Sequence, residues 1–270
     1  MNQLMQRVIT AVVLFAIVLF VFFRLPPAAG VIVMSLFTLL AAWEWSGFLR
    51  FDRALLRGVY VLLVFCLMTL SWVLIPRYVS LQLVFILILL WWAVAFVWVL
   101  RYPTPIGRTA AAVCGLLVII PAWTGLVKLL ARADIGPAFV LLLLMTVWAA
   151  DVGAYFVGRR VGRVHLAPNV SPGKTWEGAA GGLFAAAAVA GSGAALLGLS
   201  VGITLTLGIF VGAISILGDL TVSMFKRSAG LKDSGHLFPG HGGVLDRLDS
   251  VTPAVPLFAL AANWLGFFAI

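Results

Sequence analysis

"VSLQLVFILILLWWAVAFVWVL", residues 79–100, runs for 22 residues without a charged side chain. A helix of that length rises about 33 Å, enough to cross the roughly 30 Å hydrocarbon core of a bilayer. A helix on the surface of a soluble domain would carry a polar face, and this stretch has none. Comparable runs recur along the chain, at Val8–Phe23, Ala28–Trp43, Gly58–Ile75, Thr109–Leu130, Ile135–Val157, Thr175–Leu199, Val201–Phe225 and Val251–Ile270. With Val79–Leu100 they make nine predicted spans. Only 10% of residues are charged and the mean hydropathy is +1.16, against about 25% charged in soluble domains. The fold class is an all-α polytopic integral membrane protein, a single membrane domain over 1–270. Arg24-Leu25-Pro26-Pro27 follows the first run with no small-residue cleavage site, so that run reads as an uncleaved anchor.

The formal net charge of +9 raises the question of nucleic acid, and the placement of the cations answers it. Alternating the loops across nine spans puts Arg7, Arg50, Arg53, Arg57, Arg101, Arg108, Arg159, Arg160, Arg163, Lys174, Lys226, Arg227, Lys232 and Arg247 on one side. Arg24, Arg77, Lys128 and Arg132 fall on the other. By the positive-inside rule the first side is cytoplasmic, with the N-terminus inside and the C-terminus outside. The basicity is largely topological, and nucleic acid is excluded as a partner. Cys66 and Cys114 fall inside predicted spans with no ligand spacing, which argues against a disulfide framework or zinc.

Chemistry-bearing residues crowd into the second half. Asp151, Glu177, Asp219, Asp233, Asp246 and Asp249 follow residue 150, as do His165, His236 and His241. Residues 1–133 read as mainly scaffold, and 134–270 as a catalytic half with cytoplasmic loops 158–174 and 226–249. Asp151 lies about two turns before the end of an apolar helix, where a carboxylate costs about 2.5–3.5 kcal/mol at mid-membrane and less toward the interface. It therefore needs either a partner such as Arg159 or Arg160, or a function. Asp219, Ser223 and Lys226 fall at i, i+4 and i+7, on one helical face.

"KRSAGLKDSGHLFPGHGGVLDRLD", residues 226–249, holds too many glycines for a continuous helix and reads as a loop folded back at the membrane surface over 230–244. Its glycines let backbone N–H groups approach an anion, beside Lys226, Arg227, Lys232 and Arg247. Asp246 and Asp249, at i and i+3, start the last helix and suit capping as well as chemistry. In the other loop, Lys174 and Thr175 stand at a predicted helix N-terminus, a place suited to phosphate. The "GKT" there is not a P-loop: the required earlier glycine falls on Pro168, and a helix rather than a strand precedes it. The "GAAGGLFAAAAVAGSGAALLG" run of the seventh span is accounted for by close helix packing. Hard carboxylates at the ends of late spans, between two basic loops, describe a magnesium site for nucleotide chemistry.

The stretch "SMFKRSAGLKDSGHLFPGHGGVLDRLD", residues 223–249, resembles the signature of the phosphatidate cytidylyltransferases (CDP-diacylglycerol synthases). "DVGAYFVGRRVG" and "SPGKTWEG" resemble further blocks of that family. The resemblance covers the C-terminal 120 or so residues, with the remainder similar only in hydrophobic pattern. It implies transfer of CMP from CTP to phosphatidic acid, giving CDP-diacylglycerol and pyrophosphate, in a bacterial-type inner membrane. The site it implies comprises Asp219, Asp246, Lys226 and Arg247 as catalytic groups. Ser171, Lys174, Ser223, Arg227, Lys232, Asp233, His241, Gly242 and Gly243 would contact substrate. Magnesium, with room for a second cation, would be held by Asp219 and Asp246 with support from Asp151 and Asp249. Membrane lipid is a partner, and a homodimer is left open. The rival reading is an ion-coupled transporter, which calls for carboxylates near the bilayer midplane and for inverted repeats. Here the acids gather toward one interface and no repeat is visible.

Overall fold

A computed structural model describes residues 3–51, 53–132, 134–235, 237 and 242–266. The chain is built from helices α1 (Gln3–Arg24), α2 (Pro27–Trp45), α3 (Ala54–Tyr78), α4 (Leu81–Leu100), α5 (Arg108–Leu130), α6 (Gly136–Val161), α7 (Trp176–Leu196), α8 (Val201–Ser228), α9 (Leu245–Leu248) and α10 (Val251–Trp264). A 3-10 turn, Ser46–Leu49, follows α2. Among the described residues, seven helices, α2 through α8, are long and apolar enough to cross a membrane. The predicted span at Val79–Leu100 is α4, capped by Ser80, whose hydroxyl accepts from the Leu83 N–H. The last predicted span is shorter than the sequence pattern indicates, since α10 runs for 14 residues.

One part of the described chain is not helical where the hydropathy pattern gave only a loop. His165–Ala167 (β1) and Ser171–Thr175 (β2) pair antiparallel, with His165 opposite Thr175 and Ala167 opposite Ser171. The ribbon passes directly into α7, whose N-cap is Thr175 with its hydroxyl accepting from the Gly178 N–H at 3.1 Å. The side chain of Glu177 in the first turn of α7 accepts from the backbone N–H groups of Arg163 and Val164. That fixes the ribbon against the end of α6.

Helices α6, α7 and α8 approach closely because small residues meet. A Cβ at Gly182 would lie 2.6 Å from the Ala150 carbonyl oxygen, and one at Gly208 2.8 Å from that of Ala186. Lipid tails are as apolar as any side chain, so packing contact of this kind is what drives helix association in a bilayer. The larger side chains collect into two clusters. One surrounds Trp45, Trp92 and Phe225, and the other Phe85, Phe139, Leu143 and Phe258. Trp45, fully buried, packs its ring tilted against Phe225 at 5.1 Å and donates its ring N–H to the Ala111 carbonyl at 2.9 Å. This ties α2, α5 and α8 together beneath the loops. Cys114 is buried and Cys66 exposed, both unpaired.

The cation-bearing loops meet at one end of the bundle. Arg50 donates to the Ser228 carbonyl, Asn169 to that of Tyr102 at 3.1 Å, and Arg227 to that of Val170 at 3.4 Å. The segments around residues 50, 102, 170 and 228 therefore share a surface. Arg132, which pairs with Asp134 at 3.5 Å, belongs to the connection between α5 and α6.

Candidate active site

Helix α8 supplies the first row. Asp219 and Ser223 lie one turn apart, and the Ser223 hydroxyl donates to Asp219 Oδ1 at 3.1 Å. On the other oxygen, Lys174 Nζ from the ribbon stands 2.7 Å from Oδ2. The i, i+4, i+7 spacing is realised, because Lys226 also lies within electrostatic reach of Asp219. Lys226 is only 8% exposed, and it meets Asp246 Oδ1 at 2.8 Å.

Asp246 has both oxygens engaged. Oδ2 accepts from the backbone N–H of Ser234 and that of Gly243, each at 3.0 Å. Burial by itself pushes this carboxyl up, but Lys226 and the two N–H groups outweigh it and hold it below the usual carboxylate range. The turn around it demands glycine. Gly242 has φ +78°, and a Cβ there would come within 2.6 Å of Asp246 Oδ2. Asp246 is not the N-cap of α9, a place taken by Val244; it sits in the first turn and reaches back to the Gly243 N–H, and Ser250, at the start of α10, makes no capping bond.

Asp249, 7% exposed, follows α9 and accepts from the Ser250 N–H at 2.7 Å. Burial, and then the negative charge of Asp219, raise its carboxyl well above the ordinary value. Asp151 on α6 accepts a long bond of 3.4 Å from the Ser250 hydroxyl. The carboxylates of Asp151, Asp219 and Asp249 feel one another's charge. Arg159 donates to Tyr155 at 2.8 Å and lies over that ring, so it is engaged on its own helix.

An apolar groove of about 600 Å³ leads into this cluster. Val12, Phe15, Phe22, Phe37, Met145 and Trp148 line its body, and Asp151, Asp246, Arg247 and Asp249 its polar end. The walls come from α1, α2 and α6, with the edge of Phe15 against Trp148 at 6.0 Å. Such a site is amphipathic in one direction: greasy along the helices, ionic at the loop-bearing end.

Residues 5–265 match the cytidylyltransferase family. A phosphatidate cytidylyltransferase of Pseudomonas aeruginosa is 43% identical over 97% of this chain and 99% of its own. One of Haemophilus influenzae is 38% identical over 95% and 98%. This chain belongs to the cytidylyltransferase family. A shorter match, to a phosphatidate cytidylyltransferase of Brucella suis, is 46% identical over about half of each chain, 48% and 50%.

The donor chemistry of this cytidylyltransferase suits a hard divalent cation, since carboxylate oxygens are what magnesium takes. Among the described residues no three His, Cys, Asp or Glu side chains already converge as a ligand set. Asp219, Asp151 and Asp249, which feel one another's charge, would be the residues to hold such an ion, and Lys174 the cation it would displace from Asp219. Asp246, already engaged by Lys226 and two backbone N–H groups, would be the less available carboxylate.

Of the other predicted contacts, Ser171 is half-buried in β2, and Lys232 and Asp233 are exposed at the outer edge of the second loop. Arg227 donates to the Val170 and Leu231 carbonyls, joining the two loops. Arg247 is exposed and lines the groove. His241, like His236, lies outside the described residues.

One side chain at the site escaped the sequence reading. Glu44, at the end of α2, accepts from the Ser234 hydroxyl at 2.9 Å, the Val244 N–H at 2.9 Å and the Leu245 N–H at 2.8 Å. Its only sequence signal is a carboxylate in the last turn of an otherwise apolar span, a position nearer the interface and less costly than that of Asp151.

Proposed function

We propose that this chain is a phosphatidate cytidylyltransferase, moving CMP from CTP to phosphatidic acid and releasing pyrophosphate. The observation that carries the reading is the apolar groove ending among Asp151, Arg247 and Asp249. A two-tailed lipid lies along it with its phosphate at the charged end, where the basic loops face the aqueous phase that supplies CTP. The full-length relatives, named for this activity, support the same reading.

A phosphate oxygen of the lipid attacks the α-phosphorus of CTP, and the bond from that phosphorus to the bridging oxygen of the β-phosphate breaks. The nucleophile belongs to the substrate, so the protein's task is to bring two anions together and neutralise the leaving group. Lys174 stands at a carboxylate that can hand it over to a phosphate, Lys226 adds its charge from its place on Asp246, and Arg247 meets the lipid phosphate at the groove mouth. Ser223 orients Asp219. A magnesium ion on the Asp219, Asp151 and Asp249 group, with Asp246 beside it, would supply further charge neutralisation at the reacting phosphates. The Gly243 N–H, bonded to Asp246, and the left-handed backbone of Gly242 shape the turn on which this depends.

The topology belongs to the same proposal. α1 and α10 complete nine spans, with the N-terminus and both catalytic loops cytoplasmic and the C-terminus outside, in a bacterial inner membrane. The fourteen-to-four cation asymmetry supports it. The transporter alternative lacks support, because its relatives are enzymes and its acids cluster at one end. The deciding experiment incubates purified protein with labelled CTP, phosphatidic acid and magnesium. Lipid-linked CMP with equimolar pyrophosphate is expected, and neither product forming would overturn the reading.

A further inference from the structure

We infer that Glu44 is a positioning residue for catalysis, a clamp through which the N-terminal half sets the conformation of residues 234–235 and 242–246. Its carboxylate takes three donors from these stretches, the Ser234 hydroxyl and the N–H groups of Val244 and Leu245, across 190, 200 and 201 residues of sequence. The loop is shaped to receive it. A Cβ at Gly235 would fall 2.3 Å from Glu44 Oε1, and one at Gly243 2.2 Å from Oε2. A side chain at either glycine would displace the Glu44 carboxylate from this place, a closeness that no pattern inside the loop explains.

The clamp rests on a rigid base. Trp45, the next residue, is fully buried, bonded to the Ala111 carbonyl and packed against Phe225 one residue before Lys226. What Glu44 holds is directly coupled to the site. Ser234 gives its hydroxyl to Glu44 and its N–H to Asp246, while Gly243, beside Val244, gives its N–H to Asp246 as well. Asp246 in turn holds Lys226. Glu44 thus stands three contacts from the Lys226 ammonium and acts through Ser234 and Asp246 rather than on substrate.

Glu44→Gln tests this with little change of shape. Whichever way the amide turns, one of the two N–H groups on Glu44 faces an NH2 group instead of an acceptor. Protein in lipid nanodiscs is followed by hydrogen exchange and assayed with CTP and phosphatidate. Exchange in a peptide covering 242–248 is expected to quicken at least tenfold in Glu44→Gln, with a peptide over the 165–175 ribbon unchanged. Turnover should fall about tenfold or more. Ser234→Ala should have a smaller effect, and adding it to Glu44→Gln should cost little further, since both break one clamp. Lost turnover with unchanged exchange at 242–248 would overturn the proposal, as would faster exchange with normal turnover. Loosening of both peptides alike, or multiplicative losses in the double variant, would reduce Glu44 to a general folding contact and overturn it too. The proposal rests on the activity proposed above, but exchange needs no substrate. A wild type inert toward CTP and phosphatidate would refute that activity, while unchanged exchange in the variant would refute the clamp.

Discussion

Asp219 and Asp246 are both carboxylates beside a lysine, yet their surroundings give them different work. Asp219 is bonded to a side-chain hydroxyl and to Lys174, partners that can move. Asp246 is bonded to two backbone N–H groups and to the nearly buried Lys226, partners that define a loop. Asp219→Asn should therefore lower turnover by on the order of 10²–10³, the range seen when one preorganised electrostatic group is lost, with unchanged thermal stability in detergent. Asp246→Asn should lower both. Removing one partner of a buried pair costs about 3–5 kcal/mol because the other charge is left uncompensated, so earlier unfolding should accompany the lost activity. Thermal unfolding and turnover measured side by side separate the two. Chelation by EDTA should abolish activity and added magnesium restore it, and wild-type turnover indifferent to chelator would remove the metal from the scheme. If both aspartates serve one centre, the double variant should be little less active than either single one.

At the scale of elements, helices were legible wherever hydropathy alone decides, because a bilayer allows few ways to satisfy a backbone. The line of Asp219, Ser223 and Lys226 was legible for a similar reason, since helical spacing fixes which side chains share a face. The β-ribbon was not: "HLA" and "SPGKT" are short, and one contains proline and glycine, residues depleted in strands. Glu44 was hidden for another reason, that its partners are largely backbone N–H groups some 200 residues away, and backbone donors leave no mark in sequence. The small-residue face of α7 read correctly as packing and gives a sharp test. Gly182→Ala would press a methyl group against the Ala150 carbonyl, with the predicted Cβ only 2.6 Å away. Overpacking of this kind costs about 1–3 kcal/mol, so the variant should unfold several degrees lower. Gly202→Ala, on α8 with nothing within 4 Å of its Cβ, should not, and equal behaviour of the two would contradict the tight α6–α7 contact.

For the whole molecule, the arrangement of groove and loops makes a claim about which part of the substrate each half of the protein sees. The groove walls come from α1, α2 and α6, while the ionic end gathers α6, α8, α9 and the ribbon. Met145 lines the groove six residues before Asp151 on α6, which places it about 9 Å deeper along the helix. A Met145→Trp substitution should obstruct the deeper groove without touching the charged end. Displacing two methylenes from apolar contact costs about 1.6 kcal/mol at ~0.8 kcal/mol each, which corresponds to roughly a tenfold weaker fit. The apparent KM for a long-chain phosphatidate should rise by about that factor. A short-chain phosphatidate whose tails end above the obstruction should keep its KM, as should CTP. The contrast between chain lengths is what a groove for lipid tails requires. A local disturbance of α6 would instead weaken both lipids equally through Asp151, and a site fed only from the aqueous side would show no dependence on tail length. Equal changes for long and short chains in Met145→Trp would therefore dissociate the groove from the substrate, even if the protein makes CDP-diacylglycerol.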